Sequence, residues 1–147
     1  MFYFMIYEEM PKDFDSVFEV VSCIVECDRK MLLLHRQDHK PQGGTWGEPA
    51  GKMDEGEDIY GALFREVNEE TGLKLTDVTY HKKYFVRFPD YDFVFHSFHK
   101  VLDGLEHIVI NDNEHKDFRW VDPKEALKMP LMTDEDMRIK LFYGIDE

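Results

Sequence analysis

Cysteine is scarce in this sequence, with two in 147 residues, so a disulfide framework is excluded as the source of its stability. Cys23 and Cys27 lie four residues apart, which on a strand puts both on one face and too far apart to bridge easily. They read as small buried side chains in a reducing compartment. Long apolar runs are also missing, and no stretch approaches the ~20 residues of a membrane span. The apolar start, Met1 to Tyr7, runs straight into Glu8 and Glu9, whereas a secretory signal has a basic start and a longer apolar run. A cytoplasmic location is expected. Positive charge is scarce too: 18 Lys and Arg stand against 31 Asp and Glu, a net charge of -13. That balance disfavours long nucleic acid and anionic membrane surfaces, which attract basic patches. It leaves room for a small phosphate compound, because a bound divalent cation inverts the local field.

What is present is core material. The chain is 43% hydrophobic and 14% aromatic, enough to exclude global disorder and to fill one domain spanning 1–147. No repeat or low-complexity tract divides it. Val17 to Cys27 is rich in Val, Ile and Phe and predicts a strand, Asp28-Arg29 a turn, and Lys30 to Arg36 a second strand around the apolar run Met31 to Leu34. Gln37 to Trp46 contains Pro41, Gly43 and Gly44 and reads as a loop, followed by a short strand over Gly47 to Lys52. Ile59, Leu63 and Val67 recur at four-residue steps and predict a helix over Asp58 to Thr71, stopped by Gly72. Val78 to Phe88 and Phe93 to Leu102 read as a hairpin turning at Pro89 to Asp92. Lys116 to Val121 reads as a last strand. Helices are expected over Pro123 to Met129 and over Asp134 to Tyr143, the latter entered through a Thr133 cap. This order predicts an α/β fold: a mixed sheet with helices on both faces, an α/β/α sandwich.

The chemistry concentrates between Gly51 and Leu73. On a helix, Glu66, Glu69 and Glu70 are spaced i, i+3 and i+4 and share one face, where like charges repel. Hard divalent cations give such a cluster a purpose, since Mg²⁺ and Mn²⁺ take oxygen ligands and bridge to phosphates. Arg65 stands beside the cluster, and Gly51 and Gly56 flank the loop that leads into the helix.

The segment GKMDEGEDIYGALFREVNEETGL resembles the Nudix box, G-x5-E-x7-R-E-U-x-E-E-x-G-U, with U a bulky aliphatic residue. Gly51, Glu57, Arg65, Glu66, Val67, Glu69, Glu70, Gly72 and Leu73 fill its defined positions. Leu32 to Arg36 is similar to the family's strand ending in Arg, and Trp46 to Gly51 to its W-x-x-P-G-G segment. Glu114, six residues before Trp120, is similar to a glutamate many members use. One departure stands out: Ala50 replaces the first glycine of the pair, a position whose backbone carbonyl ligates metal in this family. Alanine keeps that carbonyl while narrowing the backbone's choices.

The resemblance, which is to MutT-like members, implies a pyrophosphohydrolase that cleaves a nucleoside diphosphate linked to another group, using Mg²⁺ or Mn²⁺. It implies Glu66, Glu69 and Glu70 as side-chain ligands beside the Ala50 carbonyl. Glu114 is either a further ligand or the general base, a role Glu66 also fits. Glu57 either binds a further ion or pairs with Arg65. Arg36 is a candidate phosphate contact, and Trp46 and Phe18 are candidates to stack on a base. The seven histidines show no ligand pattern and read as surface or strand residues. Substrate clues conflict: Pro89 is similar to a proline of ADP-ribose cleavers and Tyr91 to a tyrosine of dinucleoside-polyphosphate hydrolases, yet both lie in a turn that favours such residues anyway. The extra N-terminal domain common among ADP-ribose cleavers is not expected for so short a chain. The expected substrate is therefore a nucleoside triphosphate, split into monophosphate and pyrophosphate. An isomerase sharing the fold uses a catalytic cysteine and an altered box, and non-catalytic nucleotide-binding modules lose box glutamates; the intact box argues against both. A homodimer is expected from the resemblance alone.

Overall fold

In the computed structural model, which describes residues 5–146, eight strands form one mixed sheet. The first four residues of the apolar start Met1 to Tyr7 lie outside the described residues. The remaining three form β1 (Met5–Tyr7), an edge strand on β6 (Thr79–Arg87) that the apolar pattern did not announce. The other strands are β2 (Ser16–Cys27), β3 (Lys30–Arg36), β4 (Trp46–Gly47), β5 (Ala50–Lys52), β7 (Asp92–Val101) and β8 (His115–Val121). The path runs β1-β6-β7-β2-β3-β4, with β5 on β2 and β8 on β3. Only β2 and β7 run parallel, and that pairing makes the sheet mixed.

β2 and β3 pair only next to their turn, at Glu26–Met31 and Cys27–Lys30. Beyond it they splay: β5 takes up Val20 to Ser22, and β8 takes up β3. The splay opens the sheet where the Gly51 segment passes. The short strand expected over Gly47 to Lys52 is two pieces, because Pro49 interrupts the ladder between β4 and β5.

Alternation along β2 and β3 builds two cores. Val21, Cys23, Val25, Leu32 and Leu34 face helix α1 (Ile59–Thr71) and its Ala62, Leu63 and Val67. Ile24, Met31 and Leu33 face the other way, toward Ala126 of α2 (Pro123–Ala126) and Ile139 of α3 (Glu135–Tyr143). The run Met31 to Leu34 is apolar throughout because both faces of β3 are covered. Cys23 and Cys27 are free, buried and on the α1 face, and burial pushes the Cys23 thiol up.

Helix α1 starts and stops as its sequence dictates. The Asp58 carboxylate accepts the Gly61 N–H at 2.7 Å, and Gly72 closes the helix at φ 78°. Two expectations at the C-terminal end fail. The helix expected to reach Met129 ends at Ala126, leaving Leu127 to Met129 in turns. α3 is entered through Asp134 at φ 72° with no side-chain cap bond, so Thr133 does not cap it. The reason is electrostatic: Asp134 turns inward to Arg138, whose Nη2 lies 3.4 Å from its carboxylate.

That arginine anchors a buried charge cluster under α3. Arg138 Nη2 donates to Glu135 at 2.9 Å, its Nη1 lies 3.5 Å from Glu48, and its guanidinium sits 4.5 Å from the centre of the Phe95 ring. Glu48 also accepts from Ser22 Oγ at 2.7 Å. Three acids share one cation. Burial pushes the Glu135 carboxyl well up and raises that of Asp134 to about 6 against the Arg138 attraction. A carboxyl raised in this way costs stability above its folded value and stops costing below its unfolded one, near 3.8. Asn tolerates a positive φ and resembles the neutral acid. Asp134→Asn is therefore expected to be more stable than the parent at pH 7.5 by up to about 3 kcal/mol, a gain that shrinks as the pH falls from 6 to 4. Thermal melts across that range check it, and an unchanged gap at pH 4 excludes the ionisation as cause.

Candidate active site

Three chain segments meet where β2 and β3 part. Helix α1 brings Arg65, Glu66, Glu69 and Glu70; β5 runs past it with Ala50 and Gly51; and the turn 111–114 delivers Glu114 and His115 to the start of β8. Glu114 is held at both ends of its peptide unit. Its N–H donates to the Asn111 carbonyl at 3.0 Å, and its carbonyl accepts from the Gln37 N–H at 2.9 Å.

The helix acids are sorted by depth. Glu70 is buried, and its Oε1 accepts the Ala50 N–H at 3.0 Å. Glu66 is half-buried and accepts from Arg65 Nη1 at 2.8 Å. Glu69 is exposed, 3.3 Å from the same nitrogen. Arg65 also forks onto Glu57, with Nε to Oε2 at 2.7 Å and Nη2 to Oε1 at 2.8 Å. The Arg65 hydrogen bonds, with the Asp54 N–H at 2.7 Å, hold the Glu57 carboxyl down at about 2. Of the two expectations for Glu57, the pairing with Arg65 is thus present.

The departure at Ala50 is harmless to the backbone, since Ala50 is absent from the residues with positive φ. The glycine that matters is Gly51, and it matters for space: a Cβ there would stand 2.1 Å from Glu66 Cδ. Gly51→Ala is expected to evict the Glu66 carboxylate and lower turnover about 100-fold. The melting temperature should change little. Steady-state hydrolysis and a circular-dichroism melt check both halves, and unchanged turnover would show that Glu66 is not needed where it lies.

The electrostatics ask for a counter-charge. Burial, then the neighbouring acids Glu66 and Glu114, push the Glu70 carboxyl well up, against the Ala50 N–H and Arg36. Burial also raises Glu66, against Arg65. Glu70, Glu114 and His115 each offer a ligand atom within 4.8 Å of the others. Among the described residues the buried Nδ1 of His115 has no hydrogen-bond partner. Oxygen donors converging without enough cationic partners fit a divalent ion. Sequence reasoning passed over His115 as one strand histidine among seven; its only signal was adjacency to Glu114.

The proposed substrate contacts fare differently. Arg36 is half-buried, donates from Nε to the Pro41 carbonyl at 2.6 Å, and its charge acts on Glu70 and His115. Phe18 is half-buried, stacked on Phe93 at 5.0 Å with Lys52 Nζ 4.2 Å over its ring, and lines a cleft of about 430 Å³ that reaches Glu57. Trp46 needs correction. It is 4% exposed, stacked on His35 at 4.1 Å and packed in the α3-side core, so it offers no open face to a base. Pro89 and Tyr91 lie in the hairpin turn, closed by Phe88 N–H to the Tyr91 carbonyl at 2.9 Å.

Comparison with known proteins bears on the family and the fold. The family description "NUDIX domain" matches residues 18–141. The chain is 34% identical over 130 residues to the CTP pyrophosphohydrolase of Escherichia coli (strain K12), covering 88% of this chain and 94% of that protein. The solution structure of the E. coli ORF135 protein superposes with a TM-score of 0.72 at 30% identity, over 87% of this chain and 89% of that one. The NUDIX domain of Shewanella oneidensis NrtR, solved with ADP ribose, superposes at 0.74 with 21% identity over 92% of both, a likeness of fold.

Proposed function

The chain belongs to the Nudix family of hydrolases, which act on pyrophosphate bonds, and on that premise we propose that it splits a nucleoside triphosphate into the monophosphate and pyrophosphate, with a cytosine nucleotide the first candidate. The observation that carries this reading is the meeting of Glu66, Glu70 and Glu114 beside the Ala50–Gly51 strand. The nucleotide choice rests on the similarity to the CTP pyrophosphohydrolase over nearly its whole length.

Divalent metal use is general in the family, and the donors here suit it; Glu66, Glu69, Glu70, Glu114 and the Ala50 carbonyl would hold Mg²⁺ or Mn²⁺. Such ions neutralise phosphoryl oxygens and make a bound water more acidic. The chain's own residues do the positioning. Arg65 holds Glu66 in place over Gly51 and keeps Glu57 ionised. The Ala50 N–H fixes Glu70. Arg36 brings a positive charge to the side where phosphates would lie. Glu66 or Glu114 would take the proton from an attacking water.

The test is a panel of CTP, dCTP, the other nucleoside triphosphates, ADP-ribose and a dinucleoside tetraphosphate, with Mg²⁺ or Mn²⁺ and with chelator. Pyrophosphate released from CTP, and none with chelator, supports the reading. Preferential turnover of ADP-ribose or the dinucleotide overturns the substrate. No turnover of any compound favours a binding module.

A further inference from the structure

Among the described residues, the histidines of the sheet divide by what their ring nitrogens meet. His96 is buried, but both nitrogens are engaged, Nδ1 with Tyr80 Oη at 3.1 Å and Nε2 with Glu19 at 2.6 Å. His99 Nε2 meets Glu26 at 2.7 Å, and His35 Nε2 meets the Gly44 carbonyl at 3.0 Å. His81 has a buried Nε2 without a partner, yet its ring packs edge-on to Phe142 at 4.7 Å. His115 differs from all of these. It is 6% exposed, its buried Nδ1 has no partner, and a ring nitrogen lies within 4.8 Å of ligand oxygens of Glu70 and Glu114.

A buried ring nitrogen left without a hydrogen bond carries a desolvation cost. Its place next to two acids gives that cost a use. We propose that His115 is itself a metal ligand, forming with Glu70 and Glu114 a mixed nitrogen–oxygen position that favours a borderline transition-metal ion such as Co²⁺ over Mg²⁺. Imidazole suits the later first-row ions, whereas Mg²⁺ demands oxygen and keeps its water. Two carboxylates and one imidazole leave further coordination positions open to water or a substrate oxygen. The fold holds this ligand firmly: the His115 N–H donates to the Asn111 carbonyl at 2.9 Å, and the residue opens strand β8 opposite Arg36. The inference rests on the cation placement at Glu70 and Glu114 given above.

The experiment is metal titration by calorimetry on the parent, His115→Gln and Glu70→Gln, with proton NMR of the Co²⁺ form. The parent is expected to show a paramagnetically shifted, exchangeable imidazole N–H resonance that His115→Gln lacks. His115→Gln is expected to weaken Co²⁺ by about 10-fold or more while changing Mg²⁺ affinity by less than about 2-fold. A circular-dichroism melt near that of the parent confirms that the variant folds, and His115→Asn serves as second variant if it does not. Equal loss of Co²⁺ and Mg²⁺ affinity, or no loss of either, overturns the ligand role of His115. If Glu70→Gln still abolishes Mg²⁺ binding, the functional reading survives that result; if it too binds as the parent does, both readings fall.

Discussion

Glu70→Gln is expected to lower turnover of the preferred nucleotide by about a thousandfold or more, with the fold intact. Glu70 is buried at the meeting point of α1, β5 and the start of β8, and its carboxylate is drawn upward by burial and by Glu66 and Glu114. An amide of the same shape keeps the Ala50 N–H bond through its oxygen but brings no charge to a cation. The loss should fall on kcat, because the charge being stabilised develops on the phosphoryl group in the transition state. Stability without metal should rise or hold, since one buried ionisable acid has gone. Comparing kcat and KM, together with an apo melt, separates the two effects. Near-parental kcat at saturating Mg²⁺ would remove Glu70 from the machinery.

Arg138→Met is expected to be the most damaging single change to stability, at about 3–5 kcal/mol. Arg138 is 8% exposed and lies among Glu48, Asp134 and Glu135, on the sheet face opposite α1. Met replaces much of the stem's volume and can pack on Phe95, so the cost isolates the charge. The acids left behind would have to stay buried and unpaired or take up protons. At this chain length the loss amounts to a fall in melting temperature of about 10 °C or more. It should ease toward pH 5, where Asp134 and Glu135 accept protons more readily. Urea unfolding at pH 7.5 and pH 5 measures it, and an equal loss at both would point to packing in place of charge.

The two variants act on opposite sides of one sheet, and their legibility in the sequence differs for the same reason. The Nudix-like spacing, the helix over Asp58 to Thr71 and the strands β2 and β3 follow from local periodicity, capping and a compact motif. Glu66, Glu69 and Glu70 come together because helical geometry alone puts them there. In the Arg138 cluster only Asp134 and Glu135 stand one helical turn from the arginine, whereas Glu48 and Ser22 reach it from far along the chain, with no short-range pattern to mark them. The Trp46 expectation failed on the same ground, since exposure of a ring depends on what packs against it. The missed strand β1 is held by pairing with β6, nearly eighty residues away along the chain.

By itself the sequence determined the family, the acidic helix face and the longer strands and helix that frame it, because each is written in spacing along a few turns of chain. Only the tertiary structure decided that Gly51 leaves the room Glu66 occupies, that Ala50 lies outside the positive-φ region, and that Glu114 and His115 come within reach of Glu70. Those facts depend on distances between segments brought together by the splay of β2 from β3, and separation in space is set by packing, which no single segment encodes.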